Sequence, residues 1–191
     1  MQRIGWRYVI ALSALTLLPS AGLARAAEID QGTWEAGVLV AITNYANDST
    51  LDDSVTYGGR GAYFFRAPHG IEFDLSAGST DSNLTGSNAS FDLTKVFLSY
   101  VHNFQMKKVS RMMPLLVVGM GKLNVDDGTT SDWATTMQVG AGARVSISPR
   151  SALRFDATVF RWRGDGDATP LDSYFSLEFT VGWSFFIGSG A

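Results

Sequence analysis

Nine charged residues of this sequence sit where charge is least expected, inside runs of alternating apolar residues: Glu35, Arg60, Glu72, Asp74, Lys95, Arg144, Arg154, Asp156 and Glu178. Four are basic and five acidic, so together they nearly cancel. Gathered on one face, such residues have one evident chemistry, mutual neutralisation, because a charge taken out of water without a partner is costly. A second set has the chemistry of a hard-cation site. Asp126, Asp127, Asp165 and Asp167 lie in polar stretches, the last two as "DGD", and magnesium or calcium takes several carboxylate oxygens. Their spacing matches no EF-hand loop, which leaves solvated loop acids as the simpler account. Cysteine is absent, excluding a disulfide framework, a thiol nucleophile and a thiolate metal site. "GMGK" at 119–122 lacks both the earlier glycine and the following Ser or Thr of a phosphate loop, and reads as a strand with small inward residues. No cofactor is expected.

These charges need strands to hold them. After residue 30 the apolar period is two rather than 3.6, in eight segments: 33–45, 54–66, 71–79, 92–104, 114–122, 132–147, 152–162 and 177–188. In 177–188, "LEFTVGWSFFIG", Leu177, Phe179, Val181, Trp183, Phe185 and Ile187 share one face, while Glu178, Thr180, Gly182 and Ser184 share the other. The segment 71–79 alternates as cleanly, with Ile71, Phe73 and Leu75 opposed to Glu72, Asp74 and Ser76. In 54–66 the polar side carries Thr56, Arg60 and Arg66, followed by a turn at 67–70 that contains His69. Segments four and five are apolar on both faces, and Lys95 and Ser99 put the polar side of segment four on odd numbers. Connections of about ten residues at 44–54, 80–90, 123–131 and 163–173 alternate with shorter ones, apart from "QMKKVSRMM". That pattern predicts an all-β fold, an eight-stranded antiparallel up-and-down barrel.

The polar face decides which side is lipid. It is mostly Gly, Ala, Ser and Thr plus the nine charges, too sparse for a water-facing exterior and suited to a narrow lumen. Trp34, Tyr57, Tyr63, Phe65, Tyr100, Trp133, Phe175, Trp183 and Phe185 are then expected outside, as the girdles of a transmembrane barrel. Phe64, Phe97 and Phe160 are the bulky inward candidates. Residues 1–26 have the layout of a secretory signal peptide: Arg3 and Arg7, an apolar stretch, and "ARA" at 24–26. Residues 27–191 are expected to form the single barrel domain. Cleavage would remove three of the 15 basic residues and none of the 18 acidic ones, leaving a net charge of about -6 and no case for a nucleic-acid partner. No later apolar run is long enough for a transmembrane helix.

With its apolar face outward, nearly all of 27–191 resembles the small eight-stranded outer-membrane β-barrels of Gram-negative bacteria, of the OmpX and OmpA-transmembrane type. Within the last strand, "TVGWSFFI" (180–187) is similar to that family's assembly signal, carried here by Thr180, Gly182, Phe185 and Ile187. Members often stop on a terminal aromatic, whereas Gly188, Ser189, Gly190 and Ala191 follow here. The resemblance implies a monomer in the outer membrane, in contact with membrane lipid and lipopolysaccharide, and with the barrel-assembly machinery during biogenesis. It implies a plugged polar lumen and a role in envelope structure or surface interaction. A lipid A-modifying enzyme and a narrow solute pore are the alternatives. Lipid A enzymes on this fold use a His with a Ser at the outward end, and neither His69 nor His102 is followed by the deacylases' "HxSN".

Overall fold

The computed structural model describes residues 29–45, 51–82, 90–104, 111–163 and 173–188; the expected signal peptide, Asp165 and Asp167 lie outside them. Eight strands follow in order: β1 (Thr33–Asn44), β2 (Ser54–Arg66), β3 (His69–Asp81), β4 (Ser90–Asn103), β5 (Met112–Asp126), β6 (Ser131–Ser148), β7 (Ser151–Arg163) and β8 (Ser173–Ile187). Each pairs antiparallel with the next, and β1 pairs with β8 from Trp34↔Ile187 to Asn44↔Leu177, so the sheet is a closed barrel. Closure leaves no edge strand with unpaired amides, the condition for crossing lipid. The strands run from 12 to 18 residues, longer than the roughly 9–11 that span a bilayer. Their ends therefore stand clear of the hydrocarbon. The tight turns at Ala67–Pro68 and Pro149–Arg150 mark the periplasmic end by the usual rule of short inner turns.

The two faces separate as the alternation predicts. All nine aromatics assigned to the exterior are exposed, Trp34 at 58% and Phe175 at 61%, amid a band that includes Val38, Phe73, Met120, Val139 and Val181. Arg144, Arg154 and Glu72 are at 0%. β4 directs Lys95 and Ser99 inward, and β5 directs Leu115, Val117 and Leu123 inward, while Leu116, Val118 and Met120 face out. Inward glycines make the room: a Cβ on Gly121 would strike the Phe97 ring at 2.6 Å, and one on Gly142 would meet the Asp156 carboxylate.

Three local expectations are corrected. Arg66 is exposed rather than inward, because the register shifts between Phe64 and Arg66 and such a bulge re-aims the side chains beyond it. The turn is only Ala67–Pro68, and His69 is the first residue of β3. The connection expected over 123–131 shrinks to Asp127–Thr130, since pairing continues through Asp126↔Ser131, and Asp126 and Asp132 lie on strands.

Candidate functional site

Seven of the nine charges meet across the middle and periplasmic half of the lumen. β7 supplies Arg154, whose guanidinium grips Glu72 of β3 with both terminal nitrogens, Nη2 at 3.0 Å from Oε1. Its Nε lies 3.0 Å from Asp156 Oδ1, two residues along the same strand and on the same face. Arg60 of β2 reaches Asp74 at 2.6 Å and Asp156 at 3.0 Å, with Glu72 at 3.4 Å. Arg144 of β6 donates to Glu35 of β1 at 2.7 Å and also to the amide oxygen of Asn103. Planar guanidinium forks suit this role, because one Arg can hold two carboxylates in fixed geometry. Six strands are thus tied by charge-assisted hydrogen bonds, β4 through Asn103.

The other two charges form a separate layer nearer the outer end. Lys95 of β4 pairs with Glu178 of β8, and Thr43 of β1 joins them, accepting from Lys95 at 3.0 Å and donating to Glu178 at 2.7 Å. Thr43, Asn103 and Ser184, which donates to Glu35 at 2.5 Å, are members that sequence reading of charges passes over. The available signal is phase: each falls in step with a charge on its own strand or the strand beside it.

Apolar layers stand above and below the ions. Toward the outer end, Tyr45, Leu51, Leu93, Phe97, Leu123, Val125, Phe160, Trp162 and Tyr174 form one buried cluster, in which Trp162 Nε1 donates to Ser176 at 3.2 Å. At the periplasmic mouth Ile29, Phe64, Ala152 and Phe186 form another, and the Arg144 guanidinium lies 5.5 Å from the Phe64 ring centroid. Between them, a void of about 20 Å³ is bordered by Arg60, Asp74, Gln138, Asp156 and Glu178. That is room for about one water.

Two of the four acidic residues considered for a hard cation, Asp126 and Asp127, hydrogen-bond within a turn. Asp127 Oδ1 accepts from Thr129 N at 2.8 Å, Thr129 Oγ1 at 2.6 Å and Thr130 N at 2.7 Å, and Asp126 Oδ1 accepts from Gly128 N at 2.8 Å. The Thr129 hydroxyl, and after it the backbone amides, hold the Asp127 carboxyl below the usual carboxylate range. Among the described residues no three His, Cys, Asp or Glu come together as a metal cluster. His69 and His102 pair across β3 and β4 at the periplasmic end, away from the outer end where the lipid A enzymes keep their histidine.

A closed barrel with a greasy exterior, aromatic ends and an ion-paired interior defines an integral β-barrel of the bacterial outer membrane. The chain belongs to the family of the outer membrane protein beta-barrel domain, whose model matches residues 13–185. No curated protein matches the sequence at a significant level. Among solved structures, the chain is similar to the outer membrane protein OprG from Pseudomonas aeruginosa, with a TM-score of 0.59, 10% identity, and coverage of 86% of this chain and 100% of that one. Neisserial surface protein A (NspA) gives 0.56 and 14% identity over 80% and 95%, and the N-terminal β-barrel domain of Pseudomonas aeruginosa OprF gives 0.50 and 17% over 82% and 98%. At these identities the likeness is one of fold.

Proposed function

We propose that this outer-membrane barrel is closed to solutes and serves envelope structure or surface interaction, without catalysis. The observation that carries the reading is the seven-charge network, which joins β1, β2, β3, β6 and β7 across the lumen and lies between two apolar clusters. A solute would have to separate buried ion pairs, a step that costs several kcal/mol per unpaired ion on the scale of roughly 3–5 kcal/mol for a broken pair. The lipid-facing band fits a protein that works surrounded by membrane lipid, with lipopolysaccharide against its outer half. Thr180, Gly182, Phe185 and Ile187 are read as the signal met by the barrel-assembly machinery, on a strand that must close against β1.

Planar-bilayer recording and liposome swelling with small sugars test the closed lumen together. No steady conductance and no swelling are expected from the refolded chain; steady single-channel steps would turn the reading to a pore. Lipid A mass spectrometry with and without the protein tests catalysis, and an acyl chain gained or lost would make it an enzyme.

A further inference from the structure

The chain has two histidines, 33 positions apart, and the fold sets them directly opposite each other on adjacent strands. Asn103 N–H donates to the Pro68 carbonyl at 2.7 Å, which makes the neighbouring His69–His102 pair one of the non-hydrogen-bonded pairs, where side chains approach most closely. Both rings lie on the outward face, half-buried, at the periplasmic rim. Their orientation is set from both sides. Phe65 stacks on His69 with an interplanar angle of 12°, and Phe104 meets His102 edge-on with centroids 4.7 Å apart.

The two Nδ1 atoms are 3.3 Å apart. Two nitrogens each bound at about 2.0–2.1 Å to a tetrahedral zinc must lie roughly 3.3 Å from one another. The Tyr100 hydroxyl also hydrogen-bonds His69 Nδ1, so an oxygen donor is adjacent to the same point. We infer that His69, His102 and Tyr100 form a transition-metal site at the periplasmic rim, taking an ion of the zinc or copper class. Imidazole suits those metals, and an oxygen-preferring cation such as magnesium would not select it. The rings coordinate through Nδ1 with their protons on Nε2, and the partial exposure leaves a position for water. Such an ion would bridge β3 and β4 next to the Ala67–Pro68 turn. The inference stands whether or not the lumen conducts.

The test uses the full chain refolded in detergent without a polyhistidine tag, so that His69 and His102 are its only imidazoles. Titration with copper should give one ion per barrel, with hyperfine structure from two nitrogens in its electron paramagnetic resonance spectrum, and copper should displace zinc bound beforehand. His69→Ala and His102→Asn, each confirmed as folded by unboiled gel migration, should weaken binding at least about tenfold, since each removes a direct ligand. Both metals should raise the thermal unfolding midpoint of the parent chain and leave that of His102→Asn unmoved, as expected for a ligand that binds only the folded form. No saturable copper binding by the parent chain, or binding by both variants as tight as the parent's, would overturn the site. Unchanged affinity in Tyr100→Phe would remove the phenol from the donor set.

Discussion

At the scale of single residues, position along a strand fixes what a side chain costs. Val181 faces lipid near the middle of β8, while Ile187 faces lipid at its periplasmic end. Val181→Arg should therefore destabilise the barrel by about 2–4 kcal/mol and Ile187→Arg by about 0–1 kcal/mol, the depth dependence of a cation on the lipid face. Urea unfolding in lipid vesicles measures both; equal costs would mean that Val181 is not at mid-depth. Alternation made this face legible, because a lipid-facing side chain needs only to be apolar. His69 and Arg66 were less legible, since a bulge shifts phase by one residue without leaving a mark in composition. Asp127 gives a pH effect of known sign. Its folded carboxyl titrates below the ordinary value near 3.9, so the contribution to the turn is complete above that value and fades as pH falls through the depressed one. The protection of the Thr129 and Thr130 amides relative to their intrinsic exchange rates should fall only in that acid window, and Asp127→Ala should remove it at every pH.

At the scale of strands, β7 shows what holds the interior. Arg154→Ala would leave Glu72 and Asp156 short of a partner inside the lumen, and should cost about 3–5 kcal/mol in vesicle unfolding experiments. Arg161→Ala is the comparison on the same strand. Its guanidinium sits outside, 5.9 Å from the Phe175 ring centroid, and its loss should cost at most about 1 kcal/mol. A similar cost for both would mean that the lumen network is not structural. The nine charges could be read from the sequence because each interrupts a period-two run. Their partners could not, since Arg154 meets Glu72 across 82 positions and Arg144 meets Glu35 across 109. The phase of β4 and β5 was obscured for a related reason: Leu93, Phe97, Leu115, Val117 and Leu123 point inward to apolar layers, so both faces look alike in the sequence.

At the scale of the whole molecule, closure makes every strand interior. Each mid-strand N–H has a neighbour to pair with, and in hydrocarbon no water can replace a lost partner. The described prolines obey this constraint: Pro68 and Pro149 occupy turns, and Pro114 lies at the third position of β5. β1 and β8, joined through Val40↔Val181 at mid-strand, are the seam on which closure depends, although they come from opposite ends of the domain. Val40→Pro removes one amide from that seam region and sets a ring where a ladder bond should be. Because an open barrel would expose two unpaired edges to lipid, the damage should spread beyond one bond. We expect Val40→Pro to abolish the heat-modifiable folded band on unboiled gels, while Val40→Ala, which keeps the N–H and loses only lipid contact, retains it. A folded band that survived in Val40→Pro would mean that the barrel tolerates a break at its seam, and that the network among β1, β2, β3, β6 and β7 can hold the cylinder without it.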